Sequence, residues 1–186
     1  MLPPTHRRSK EVMILTGPEI ECRIAQKEIE ISPWDPRNCG PNSVDLRLHS
    51  EMKKYDLTAT PRACLDMQGD NPTQDVRIPA EGLVLQPGTL YLGRTIEHIH
   101  TDIFVPQVEG RSSVGRLGMQ IHVTAGFCDT GFNGTITLEI TVVHPLRVYP
   151  EARVCQVGFT VPLGEIRLYK GRYQNQNEAT ASRFHL

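Results

Sequence analysis

The sequence predicts a mainly β fold, a distorted barrel or jelly-roll-like arrangement of short strands with one short helix near its start. Three observations carry this: apolar residues alternate with polar ones along many short runs, Pro/Gly turns such as Pro87-Gly88 divide the runs, and only one stretch shows helical spacing. With 186 residues, 39% hydrophobic and 22% charged, the chain can bury one core of ordinary composition.

Residues 1–12 carry His6, Arg7, Arg8 and Lys10 without a long apolar run, and are expected to be an extension outside the fold rather than a signal peptide. Thr16-Gly17-Pro18-Glu19 reads as a capping box, with the Thr16 hydroxyl reaching into the first turn and Glu19 reaching back. Ile20 and Ile24 follow at i, i+4 spacing, which places one short helix here, ended by Lys27. Ile29 and Ile31 alternate with Glu28 and Glu30, a strand period. Pro33, Pro36, Gly40 and Pro41 then interrupt the chain, and Val44, Leu46 and Leu48 alternate with Asp45 and Arg47 as a half-buried strand does.

Further strands are expected at 83–85, 90–95, 103–108, 119–124, 135–143, 154–161 and 166–169. The polar stretch from Ala59 to Asp75, with Pro61, Gly69 and Pro72, reads as an irregular excursion. One β domain over 13–170 is the expected unit, followed by a polar arm over 171–186 rich in Asn, Gln, Ala and Thr.

Net charge is −1, so no global basic field draws in a nucleic-acid backbone, and phosphate binding must rest on local arginines. Five widely spaced cysteines form no C-x-x-C pair, which fits a reducing cytoplasm. No run is long and apolar enough for a membrane helix. Neither the H-x-E with P-C-x-x-C of zinc nucleobase deaminases nor a Walker A loop occurs.

Gly110-Arg111-Ser112-Ser113-Val114-Gly115-Arg116 packs guanidiniums, hydroxyls and glycines together, a combination suited to a polyphosphate: glycines admit close approach, hydroxyls donate, and a guanidinium fork matches phosphate oxygens. Along 135–142, Ile136, Leu138, Ile140 and Val142 share one face, while Thr135, Thr137, Glu139 and Thr141 share the other. Glu139 is the only carboxylate in that threonine row. A carboxylate in a partly desolvated cleft suits proton transfer to and from water. On the strand pattern alone, an exposed glutamate on a solvated sheet face is the commoner arrangement.

Asp129 lies in the glycine-rich hairpin 126–134, whose Phe127 and Phe132 offer faces to a sugar or base. Taken alone, Asp129 bonding its own turn backbone is the plainer reading, and His122 reads as a satisfied core histidine. Tyr169-Lys170-Gly171-Arg172-Tyr173-Gln174-Asn175-Gln176 combines cations, phenols and amides. Such a segment either folds over a triphosphate or forms a solvated basic tail.

These residues together resemble the dCTP deaminase family, a branch of the trimeric dUTPase superfamily, from Met13 to Ser182. The resemblance rests on Met13-Ile14-Leu15-Thr16, on 40–48 (GPNSVDLRL), on Val108-Glu109-Gly110-Arg111-Ser112-Ser113 with Arg116, on His122 to Phe127 with Asp129 and Gly131-Phe132, and on Thr137-Leu138-Glu139. It implies a homotrimer of distorted dUTPase-type barrels with active sites at subunit interfaces, taking dCTP or dUTP as the magnesium complex, with no zinc. By the same resemblance Glu139 activates the water that attacks C4 of cytosine, and Ser112 and Arg116 position that water and the carboxylate, Arg116 from across an interface.

Substrate contacts are implied at Arg111, Ser113, Ala125, Asp129, Phe132, Thr137, Leu138, Gln156, Tyr169, Arg172 and Gln176. Arg111 would hold phosphate, backbone near Ala125 would read the pyrimidine, and Asp129 would bond the 3′-hydroxyl. Phe132 would pack on the sugar, and Tyr169, Arg172 and Gln176 would close over the phosphates. Thr130 stands where many members have proline, and Arg172 where lysine is common. Gly126 and Arg153-Val154-Cys155-Gln156 look more like the bifunctional members that form dUMP and like dUTPases. The leading expectation is deamination of dCTP to dUTP and ammonia in pyrimidine deoxynucleotide metabolism. The alternatives are a dUMP-forming bifunctional enzyme, a dUTPase, or a nucleotide-binding regulatory module. Inhibition by dTTP stays open.

Overall fold

The computed structural model describes residues 13–122 and 125–184. Its elements are α1 (Gly17–Ala25), β1 (Glu30–Ser32), β2 (Val44–Arg47), β3 (Glu51–Tyr55), β4 (Thr73–Arg77), β5 (Leu83–Leu85), β6 (Tyr91–His100), β7 (Val105–Gly110), α2 (Ser112–Gly115), β8 (Met119–Gln120), β9 (Asn133–Val142), β10 (Leu146–Val148) and β11 (Arg153–Thr160), with two short 3₁₀ turns at 36–38 and 61–63. The mainly β expectation holds.

All strand pairs are antiparallel. A six-stranded sheet runs β4-β3-β6-β9-β8, with β1 also pairing β6; β2-β11-β7 form a second sheet and β10-β5 a third. A bridge between Leu48 and Thr95 ties the chain after β2 to β6, so the sheets wrap one core. Leu46, Leu48, Met52, Ile99, Leu138, Ile140, Val157 and Phe159 are at its centre, each at most 1% exposed. This burial is the main force holding the sheets together.

α1 buries Ile20 and packs Ile24 against the core, as the spacing predicts. Its cap differs from the expectation. Thr16 occupies the cap position in an extended conformation, but its side chain bonds nothing in the first turn. Glu19 instead accepts from Arg23 Nε at 2.7 Å, one turn ahead, because a strongly charged partner outcompetes the backbone amide of the cap residue. The chain turns away at Lys27, where φ is 62°.

Three strand expectations shift. The strand expected from Ile103 begins at Val105, because the Thr101 hydroxyl accepts from the amides of both Ile103 and Phe104 and holds them in a turn. Residues 166–169 form no strand; the Tyr169 amide bonds Thr130, and no neighbouring strand is there to extend a ladder. The strand expected over 119–124 ends at Gln120, and Val123 and Thr124 lie outside the described residues. Conversely, β3, β4, β10 and the one-turn helix α2 are additional, and β4 takes the last residues of the stretch expected to be irregular. β4 is an edge strand whose Gln74, Asp75 and Arg77 are exposed, so its sequence shows no apolar alternation. The extension expected at 1–12 lies outside the described residues, as do 185–186.

Candidate active site

β9 organises the site. Leu138 and Ile140 are fully buried and anchor its inner face, so Glu139 between them points to the other side. On β6, Leu92 lies opposite Glu139 and Gly93 opposite Leu138. A Cβ on Gly93 would sit 2.8 Å from Ile140 Cδ1 and 3.0 Å from Leu48 Cδ1, so the tips of these core side chains fill the space beside Gly93 beneath Glu139.

The outer face of β9 is not a solvated sheet. The segment after Gly171 lies along it: the Thr135 amide donates to Gln176 O at 2.9 Å, Gln176 Nε2 donates to Thr135 O at 2.9 Å, and the Thr180 amide donates to the Thr137 hydroxyl at 3.2 Å. Ala179 is buried there. Gly134 permits this contact, since a Cβ would meet Gln176 O at 2.6 Å. Glu139 is therefore half-buried at the edge of a covered strip.

Asp129 sits at φ 42°, a conformation that Asp tolerates better than most residues, and its carbonyl accepts from the Phe132 amide. Among the described residues its carboxylate bonds no turn amide, so the plainer reading of Asp129 does not hold; Asp129 borders the same cavity as Glu139. Phe132 is buried beside Tyr169, with ring centroids 6.1 Å apart. His122 departs from the core expectation: it is half-buried, lines the cavity, and its Nε2 meets the Ala125 carbonyl while buried Nδ1 has no partner among the described residues. Burial, then the charge of Asp129, push the Cys128 thiol up to about 12, so it stays protonated at neutral pH.

Together these groups border a cleft of about 420 Å³. Ala125, Asp129, Phe132, Thr137, Glu139, Tyr169 and Gln176 line it, so seven of the expected residues converge. Its described lining contains two carboxylates, Asp129 and Glu139, and no Arg or Lys. Such a cleft suits a flat polar ring with a sugar, and it offers nothing to neutralise phosphates.

The cationic residues are elsewhere on the chain. Ser112 and Ser113 open α2 and Arg116 ends it, all three exposed. Arg111 lies 2.8 Å from Asp45, and Gln156 accepts from the Ser43 hydroxyl and donates to Gly110 O. Arg172 donates to the carbonyls of Arg183 and Phe184. Leu138 turns its side chain into the core, leaving only backbone for a ligand. One chain thus separates an apolar, acidic cleft from a serine and arginine patch.

A family model described as dCTP deaminase-like matches residues 14–161. The chain belongs to this family. Among its relatives, the protein named "dCTP deaminase, dUMP-forming" from Leptospira biflexa is 52% identical over 163 residues, covering 87% of this chain and 90% of that one. A protein of the same name from Hathewaya histolytica is 50% identical over 164 residues, covering 88% and 92%. In fold, this dCTP deaminase-like chain is similar to the crystal structure of 2'-deoxycytidine 5'-triphosphate deaminase from Agrobacterium tumefaciens, with a TM-score of 0.63 at 22% identity. The match covers 81% of this chain but only about half, 49%, of that longer one.

Phe127 and Tyr173, from the hairpin and the arm that the sequence singled out, also border the cleft, whereas Tyr55, Leu90, Leu92, Cys128, Ile136 and 180–182 were not anticipated there. Leu92 had a signal in its register opposite Glu139, available once β6 and β9 are paired. Tyr55 had none, since it ends a charged strand far away in sequence; its hydroxyl accepts from the Ser182 amide at 3.1 Å and pins the arm.

Proposed function

We propose that this protein hydrolyses dCTP to dUMP, ammonia and diphosphate. The carrying observation is the cleft itself, which brings Glu139 and Asp129 to one cavity under a covered strand face. The names of relatives near 50% identity favour the dUMP-forming course over release of dUTP, the product placed first on sequence grounds.

In this reading the pyrimidine enters against Leu92, Ile136 and Ala125, with the sugar on Phe132 and near Tyr169. Glu139 takes a proton from water as its oxygen attacks C4, and returns protons so that the C4–N4 bond breaks and ammonia leaves. Oxygen replaces nitrogen at C4, and one water is consumed. Asp129 then orients a second water toward the α-phosphorus, and the bond to the bridging oxygen breaks to release diphosphate. Ser112 and Arg116 position the first water and the Glu139 carboxylate. Arg111, Ser113 and Gln156 hold phosphates, and Arg172 and Gln176 close the arm.

Those cations do not border the cleft of the same chain, so the reading requires a second copy to supply them, and a homotrimer provides it. Leu117 and Val143, 59% and 58% exposed beside the 112–118 loop, suit burial in such an interface. Among the described residues no three His, Cys, Asp or Glu side chains converge as a cation cage. In this reading a magnesium ion would be held by phosphate oxygens and water, where it would screen phosphate charge.

The test is incubation with dCTP and magnesium, following ammonia, dUTP, dUMP and diphosphate. Equal amounts of ammonia and dUMP are expected. Accumulating dUTP would refute the dUMP-forming course, and no ammonia at neutral pH would refute the enzyme. Within a working enzyme, Asp129→Asn is expected to retain deamination and to divert product to dUTP.

A further inference from the structure

Three arginines share one face of the β2-β11-β7 sheet and its margin, and they are held in different ways. Arg47 is already paired: its Nε lies 2.6 Å from Glu97, a carboxylate 1% exposed, and Nη1 lies 3.9 Å from Glu151. It is committed to a structural pair. Arg111 and Arg153 share a single carboxylate, Asp45, which is 17% exposed; Arg111 Nε is 2.8 Å from Oδ1 and Arg153 Nη1 is 3.6 Å from Oδ2. Arg111 Nη1 also donates to Arg153 O at 3.1 Å.

The strand pattern creates this convergence. Asp45 and Arg47 alternate with buried Val44 and Leu46, so both point to the outer face of β2. Gln156 faces Asp45 across the ladder, and the register slips between Arg153 and Cys155. A bulge of that kind re-aims the side chain next to it, here carrying Arg153 toward the end of β7 where Arg111 follows. Among the described ion pairs these two guanidiniums share the one carboxylate of Asp45, with Glu109 next along the same row beyond Gln156. Arg153 is 47% exposed and Arg111 30%, so their outer N–H groups remain open to a ligand.

We propose that Asp45 is a positioning residue holding Arg111 and Arg153 together as a two-guanidinium clamp for a polyphosphate, which adds Arg153 to the phosphate contacts as the second guanidinium beside Arg111. A carboxylate between two like charges relieves their repulsion and fixes both planes before the ligand arrives, so less side-chain freedom is lost on binding. The clamp deepens the nucleotide reading but is testable apart from it.

The probe is inorganic tripolyphosphate, titrated calorimetrically into the full chain, beside dCTP kinetics. Arg153→Ala and Asp45→Ala are each expected to weaken tripolyphosphate binding about tenfold, as loss of one charge-assisted contact does. The KM for dCTP rises by a similar factor while kcat stays within about twofold, the signature of lost ground-state binding. Asp45→Asn, which keeps an acceptor without the charge, falls between wild type and Asp45→Ala, and deoxycytidine affinity does not move in any variant. Arg153 is half exposed, so its replacement keeps the test sound should Asp45→Ala fail to fold. Tripolyphosphate binding unchanged in Arg153→Ala, or absent from wild type, overturns the clamp even if dCTP is consumed. Binding lost in the variants while wild type leaves dCTP intact supports the clamp and overturns the enzyme.

Discussion

Adjacent residues on β9 should fail in opposite ways. Glu139→Gln keeps side-chain volume and hydrogen-bonding ability on a half-buried position whose carboxylate enters no ion pair among the described residues. Stability should therefore stay within about 0.5 kcal/mol of wild type, as for substitutions away from core contacts. Removing a positioned general acid–base typically costs about 10² to 10⁴ in rate. At about 1.4 kcal/mol per tenfold, that raises the barrier by about 3 to 5.5 kcal/mol. Leu138, the preceding residue, is 0% exposed and packs in the core, so Leu138→Ala should cost about 2–5 kcal/mol of stability through lost burial and the cavity left behind. The assay pairs urea unfolding with kcat and dCTP affinity for both variants. The reasoning fails if Glu139→Gln turns over at the wild-type rate, or if it loses stability on the scale of Leu138→Ala while nucleotide affinity collapses with it.

Further outcomes follow from the packing and the charges. Gly93→Ala should destabilise by about 1–3 kcal/mol, because the added methyl meets Ile140 at 2.8 Å in a filled core; thermal melting would show it. Tyr55→Phe removes the acceptor for the Ser182 amide, so limited proteolysis should cut the arm after Thr180 faster than in wild type, with little change in melting temperature. Burial, followed by the Arg94 charge, holds the His49 imidazole below its ordinary 6.5, with Glu51 opposing and Arg77 assisting. Protonation thus costs more in the folded than in the unfolded chain. Stability should be complete above pH 6.5 and fall as pH drops through and below it, and His49→Gln should flatten that slope in pH-dependent melting. Exposed Cys22 and Cys64 should alkylate readily at neutral pH while Cys128 stays unmodified, as mass spectrometry of an iodoacetamide time course would show.

Much of this was legible in the residues because burial imposes a period. The alternation of Ile136, Leu138, Ile140 and Val142 located β9 and put Glu139 on its outer face. What alternation cannot report is what covers the other face. The arm that shields Thr135 and Thr137 is polar and nearly patternless, and it is recruited by backbone bonds together with the amide side chains of Gln174 and Gln176 and the Thr137 hydroxyl, none of which leaves a period in the sequence. β3 and β4 were hidden for a related reason: Lys53 and Asp75 pair across the two strands at 3.0 Å, so charge takes the places where apolar residues would have signalled a strand. Thr16 shows the limit of a local motif, since its predicted capping partner Glu19 has a better one in Arg23. The split between cleft and arginines needed three dimensions, because only the folded chain shows that exposed Arg116 does not border the cleft that Glu139 lines.

The central claim is that the Glu139 cleft receives the pyrimidine while a second copy supplies the phosphate contacts. A crystal structure of Glu139→Gln with dCTP and magnesium tests this most directly. The account predicts C4 of the cytosine within about 4 Å of the residue-139 side chain, near-attack range once a water intervenes, with the triphosphate against Arg111 of a neighbouring copy. A base seated outside the cleft, or phosphates bound wholly within one chain, would contradict it.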